Sequence, residues 1–201
     1  LSSTLKFDGV FTLQAKGDGP VRTLFADITE SGNLRGYCAV DDDQSQFAAL
    51  QLAQPNEDAV HIVPLMGGGY IAFTVDDATT GGRYQGIVEL DGPHLSDAAM
   101  RWFENSEQTD PMVLCSADKG SSGWQASALM LQRIASEGGD AILAQGAKAA
   151  SDDAWHTAKT LLSSLSRAEL IDPAVSSEEI IYRVFNTMAP HVAPARVVTD
   201  Q

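Results

Sequence analysis

Two dense segments decide how this chain reads: Arg83-Tyr84-Gln85-Gly86-Ile87-Val88-Glu89-Leu90 and Trp102-Phe103-Glu104-Asn105-Ser106-Glu107-Gln108. The first has the short length and the Tyr, Ile and Val content of a strand. The second reads as the aromatic end of an amphipathic helix over about residues 96–106. It puts Ala99, Trp102 and Phe103 on one face and Ser96 at the N-cap. Neither segment contains a nucleophile, a metal site or a phosphate loop.

Upstream of this pair the chain reads as antiparallel β structure. Residues 10–15 alternate apolar and polar side chains with period two and stop at the turn Gly17-Asp18-Gly19-Pro20. Strands over residues 23–28 and 33–40 follow, which predicts a three-stranded meander. Residues 41–57 are acidic and Gln-rich and read as a loop or a short irregular helix. Strands over 70–75 and 84–90, joined by a Gly-rich loop, predict a hairpin. Two more strands are expected over 111–117 and 123–132.

Downstream the character changes. Residues 136–150 are Ala/Gly-rich and weakly patterned, which reads as a boundary. Beyond them the chain is helical. Residues 152–164 place Trp155, Ala158, Leu161, Leu162 and Leu165 on one stripe. Ser176-x-x-Glu179 is a capping box that opens a helix with Ile180, Ile181, Val184 and Phe185 inward. Residues 190–201 show no helical period. The predicted fold class is therefore α+β: an antiparallel β-rich core with a packing helix over 1–150, then a helical linker over 151–201. Both linker helices are at or below the length at which an isolated helix persists in water, so each needs a surface to dock on. Apolar burial opposed by the entropy of ordering leaves such docking only marginally favourable.

An apolar fraction of 44% supports a packed core, and a mean hydropathy of -0.09 suits a soluble chain. No apolar run is long enough to span a membrane, and no export signal opens the chain. A start at Leu1 leads us to expect further chain before it. With 27 acidic against 13 basic residues the net charge is -14, which repels phosphate backbones and argues against nucleic acid as a partner. Cys38 and Cys115 are too few for a disulfide framework or a zinc site, and their strand-like surroundings read as buried thiols.

Gly67-Gly68-Gly69 lacks the Lys-Ser/Thr of a phosphate cradle and precedes a strand, so it reads as a turn or a close backbone approach. Asp18 reads as a cap. Gly120-Ser121-Ser122-Gly123 lacks the spacing of a nucleophile elbow. His61, His94, His156 and His191 form no i,i+4 pair, and Asp41-Asp42-Asp43 reads as a solvated loop. The residues thus supply no positive case for an enzyme. Two other readings stay open: a small-molecule enzyme using the Gly67–Tyr70 loop, and a constitutive interaction module with a helical arm.

The two opening motifs do not stand alone. Leu5-Lys6-Phe7-Asp8-Gly9, Gln14-x-x-Gly17-Asp18-Gly19-Pro20, Arg35-Gly36-Tyr37 and Gly69-Tyr70 occur with them in order. Together they resemble the heat shock protein 33 family, the redox-regulated holdase chaperones also called 33 kDa chaperonins. The resemblance covers nearly the whole chain. It departs at Ala126-Ser127-Ala128 before Leu129-Met130-Leu131-Gln132, where the family usually has Ala-Gly-Gly, and a proline usual soon after is absent. The resemblance implies an ATP-independent cytoplasmic chaperone that is not an enzyme. Its partners would be unfolding client proteins, with a homodimer in the activated state. It also implies a zinc module after Gln201, with C-x-C and C-x-x-C thiolates that neither Cys38 nor Cys115 matches. Oxidation there would remove roughly 10–16 kcal/mol of metal-linked folding energy and undock the linker. The docking and client-binding face would then be Trp155, Leu161, Leu162, Ile180, Ile181, Val184 and Phe185, with no metal ligand within residues 1–201.

Overall fold

The first half of the molecule is antiparallel β structure, as expected, with period-two alternation clearest in its first strand. β1 (Gly9–Gly17), β2 (Val21–Thr29) and β3 (Leu34–Val40) form an antiparallel meander, and β4 (Gly69–Asp77) and β5 (Arg83–Glu89) form a hairpin. Pairing of β1 with β4 fuses them into a five-stranded sheet of order β3-β2-β1-β4-β5. The structure, a computed structural model, describes residues 8–41, 61–79, 81–107, 110–120, 123–133 and 141–190. The readings of 42–57 and 191–201 lie outside them.

The registers show which residues share a face. Phe73 lies opposite Leu13 and Gly86, Leu13 opposite Ala26, and Ala26 opposite Gly36. Residues directly opposite one another project to the same side. One face therefore gathers Phe11, Leu13, Ala15, Leu24, Ala26, Ile28, Ile71, Phe73 and Val88. The helix α2 (Leu95–Glu107) packs on that face, with Trp102 and Phe103 fully buried. Trp102 stacks on Phe73 at 4.7 Å and meets Phe103 edge-on at 4.9 Å. A Cβ on Gly86 would lie 2.0 Å from Trp102 Nε1, so the helix can come this close only over a glycine. The strand motif and the helix motif are two halves of one contact.

Ser96 is not the cap of α2. The helix starts at Leu95, and the Asp97 carboxylate accepts the His94 backbone N–H at 2.9 Å. A short helix, α1 (Ile62–Met66), precedes β4 without having been anticipated.

The chain divides into two compact units, one running through Gln108 and the other spanning Thr109–Pro194. The second holds a hairpin of β6 (Met112–Gly120) and β7 (Gly123–Leu131). It continues with α3 (Ala141–Ser163), α4 (Arg167–Leu170), α5 (Ser177–Phe185) and a 3-10 turn, Asn186–Met188. Composition placed the division near residue 150; by geometry the hairpin shares a unit with the helices. α3 begins well before the expected residue 152. Ala141, Ala144, Ala147, Ala149 and Ala150 lack an amphipathic pattern but have the highest intrinsic helix propensity, and propensity prevails there.

The expectation of buried thiols is also corrected: Cys38 and Cys115 are both exposed. β3 is an edge strand on which Leu34 and Tyr37 are 73% and 62% exposed, and Cys38 shares that position. On β6, Cys115 lies opposite Ala128 on the face away from Leu114 and Leu129.

Candidate functional site

The second unit is built from two apolar layers. In the hairpin, Met112 pairs with Leu131 and Leu114 with Leu129, which puts all four side chains on one face. The next pair on that face is Ser116 with Ser127, so the apolar surface is short. The helices supply the other layer. Ala158, Leu162, Leu165, Leu170, Ile180, Val184 and Phe185 form one buried cluster, with the four hairpin residues, Leu161, Val175 and Ile181 packed against it.

Local chemistry fixes where these short helices start. Ser176 accepts the Glu179 N–H, and Glu179 accepts the Ser176 N–H at 2.8 Å, the expected capping box. Ser166 and Glu169 form a second such box at α4. Its S-x-x-E signature was present in the sequence, and reading it would have added Leu170 to the core. Glu169 also accepts from Arg183 Nη2 at 2.7 Å, which ties α4 to α5. Hydrogen bonds from Ser166, backbone first, hold the Glu169 carboxyl below the usual carboxylate range. The equivalent bonds from Ser176 do the same for Glu179. Arg167 Nε donates to the Cys115 carbonyl at 3.1 Å and so pins α4 to β6.

Of the seven residues expected on the docking face, Leu161, Leu162, Ile180, Ile181, Val184 and Phe185 come together in this cluster. Trp155 does not join them. Its indole Nε1–H donates to Asp110 Oδ2 at 2.7 Å, and the Lys159 ammonium lies 5.5 Å above its ring. Helical spacing placed Trp155 on the stripe, but its polar edge found a carboxylate. A cleft of about 240 Å³ opens beside the cluster, lined by Leu161, Leu165, Ile180 and Val184, with Glu169 and Arg183 also in its wall.

The first unit presents a second apolar area. On the face that carries α2, burial is complete at Phe11, Ala15, Ile71 and Phe73 but only partial at Leu13, Leu24, Ala26 and Ile28, and Leu34 is exposed. Among the described residues, then, the β2–β3 half of this face is incompletely covered.

The Gly67–Tyr70 loop is closed by its neighbour. Asp18 Oδ1 accepts the Gly68 N–H at 2.9 Å, and Gly19 N–H reaches the Met66 carbonyl at 2.7 Å. A Cβ on Gly17 would lie 2.1 Å from the Met66 carbonyl oxygen. The β1–β2 turn thus packs directly on this loop, and Asp18, as the expected cap, already takes the Gly68 N–H. His61 and His94, distant in sequence, meet edge-to-face at 5.3 Å. Among the described residues no three His, Cys, Asp or Glu side chains are grouped to hold a metal ion.

A family model described as Hsp33 protein matches residues 1–201. The chain belongs to the Hsp33 family. It is 34% identical over 190 residues to the 33 kDa chaperonin of Caulobacter vibrioides, covering 92% of this chain and 59% of that one. To the 33 kDa chaperonin of Pseudomonas fluorescens it is 33% identical over 189 residues, covering 94% and 55%. The chain thus spans little more than half the length of these relatives. Among solved structures, the 33 kDa chaperonin of Thermotoga maritima superposes with a TM-score of 0.66 at 16% identity, covering 92% of this chain and 57% of that one. That likeness establishes the shared α+β fold.

Proposed function

We propose that this Hsp33 chain forms the client-binding part of an ATP-independent holdase, a chaperone that captures unfolding proteins on apolar surface. One observation carries the reading: six residues of the expected arm form a single cluster with the hairpin, on a base of only two apolar strand pairs. Lifting α3–α5 would uncover both layers at once, Leu162, Ile180, Val184 and Phe185 above and Met112, Leu114, Leu129 and Leu131 below. Each fully buried Leu or Ile returned to water costs roughly 1.5–3 kcal/mol, so the open form is held back by a modest number of side chains and is avid for apolar segments. Leu24, Ile28 and Leu34 on the sheet of the first unit would offer a separate apolar area of their own. A net charge of -14 keeps such a surface dispersed in water and turns away nucleic acid.

In this reading oxidation acts from outside the residues described. Cys38 and Cys115 form neither a C-x-C nor a C-x-x-C pair and do not fit a zinc site; the zinc thiolates are expected after Gln201. The protein would act in the cytoplasm and pair into a homodimer when active. No helix among the described residues is long and apolar enough to cross a membrane.

The test uses the full-length protein and light scattering from a heat-unfolded client. Aggregation should be suppressed after peroxide and mild heat, while hydrogen exchange over 151–189 accelerates. Suppression by the reduced protein with those residues still protected would overturn the reading.

A further inference from the structure

The N-terminal part of the described α3 surface is attached differently from the rest. Ser151, Asp152, Asp153, Ala154, His156 and Thr157 are exposed, and the apolar cluster begins only at Ala158. What ties these turns down is polar. Trp155 Nε1–H donates to Asp110 Oδ2 at 2.7 Å, and Lys159 Nζ donates to both Asp110 oxygens at 2.9 and 3.2 Å. Arg133 adds a 2.5 Å ion pair with Asp152 and a 2.9 Å bond to Ser151 Oγ. Asp110 is the one carboxylate among these groups that holds two α3 side chains. It precedes Pro111, and the residue before a proline is confined to extended backbone, so its side chain is presented from a restricted position.

We propose that Asp110 is a latch for the helical arm: its carboxylate fastens Trp155 and Lys159, and losing it loosens residues 151–159 of α3 while Leu162 and the cluster residues of α4 and α5 stay closed. The assignment of an activity to that opening rests on the chaperone reading; the latch itself does not. Hydrogen bonds from Lys159 and Trp155 keep the Asp110 carboxyl below its ordinary range, so it stays ionised and fastened at neutral pH. The side chains of Asp110 and Lys159 are 52% and 34% exposed, so solvent ions reach and weaken the pair.

Hydrogen exchange on the full-length reduced protein tests this. Asp110→Ala should speed exchange over 151–159 by about tenfold, equivalent to about 1.4 kcal/mol, and leave α5 protected. Asp110→Asn should fall between, because its amide oxygen still accepts the indole N–H. Raising salt should speed exchange there in the parent protein and have a smaller effect in Asp110→Asn. Unchanged exchange in Asp110→Ala overturns the proposal, and so does equal loss across α3 and α5, which would make Asp110 a general stability residue. Because the cluster stays covered in Asp110→Ala, the reduced variant should not suppress client aggregation even where 151–159 opens; failure of the chaperone reading shows instead in the oxidised parent protein, as absence of suppression with the latch result unchanged.

Discussion

Replacing Leu162 with alanine separates a buried keystone from an ordinary helix contact. Leu162 is fully buried in the cluster with Leu165, Leu170, Ile180 and Val184, whereas Leu161 is half-buried at its edge. Leu→Ala in a rigid core destabilises by about 2.7–5 kcal/mol, the spread reflecting how far neighbours close the gap. Here Leu165, Ile180 and Val184 border an open cleft as well as Leu162, so they have room to shift. That places Leu162→Ala near the lower end, about 3 kcal/mol, and Leu161→Ala at about half of it. Urea unfolding followed by exchange over α3–α5 gives the numbers, with β4 amides as an internal control that should not move. In the full-length reduced protein Leu162→Ala should also raise client binding without oxidant. Equal losses for the two variants, or a loss below about 1 kcal/mol at Leu162, would refute the reasoning, because the cluster would then not be a packed core.

Gly86→Ala drives a methyl into Trp102, which is pinned between Phe73 and Phe103; overpacking of about 1–3 kcal/mol should exceed the roughly 0.4–1 kcal/mol gained from a stiffer unfolded chain. Chemical denaturation showing net stabilisation would contradict the contact. Ser176→Ala should cost the second unit about 1 kcal/mol by removing the cap of α5, read by urea melts. Glu169 and Glu179 have folded pKa values below their unfolded ones, so their contribution is present above the ordinary value of about 4.3 and fades as pH falls through the folded values. A pH titration of α4–α5 protection should therefore decline on the acid side, and less so in Glu179→Gln. Both thiols should react with an aromatic disulfide in the native protein, Cys115 more slowly because desolvation pushes its pKa up; equal rates would speak against that.

What was legible in the sequence was whatever expresses itself locally. Period-two alternation located β1, β-favouring residues between turn signals located the other strands, and the Ser176–Glu179 box located α5 because cap and helix are three residues apart. The aromatic stripe of α2 was visible, yet its cap was not, since Asp97 acts backward on His94 while Ser96 looks the better residue type. Trp155 shows the limit of helical spacing: the period fixes a direction, and only tertiary structure decides whether carbon or carboxylate waits there. Long-range relations were invisible. Nothing local pairs β1 with β4, brings Gly86 under Trp102, or exposes Cys38 by putting β3 at the sheet edge.

In the proposed mechanism the hairpin serves a docked and an open state, and its geometry suits both. Its apolar face ends after Leu114 and Leu129, because Ser116 and Ser127 come next. A longer apolar face would add roughly 1.5–3 kcal/mol for each further Leu or Ile buried and make the helices harder to lift. A shorter one would leave helices of the length of α4 and α5 without enough burial to form, since chains this short do not hold helical structure alone. The capping boxes and the Glu169–Arg183 pair then matter in both directions. They stabilise each helix by giving its first N–H groups hydrogen-bond partners and by tying α4 to α5, without touching the hairpin, so the arm gains order without gaining grip. Adhesion is left to a few apolar contacts, Arg167 on the Cys115 carbonyl and the Asp110 cluster. In the proposed mechanism an arm held by so few contacts would come away readily, and helices as short as α4 and α5 would then lose their order and leave Ile180, Val184 and Phe185 open to an apolar segment of an unfolding chain.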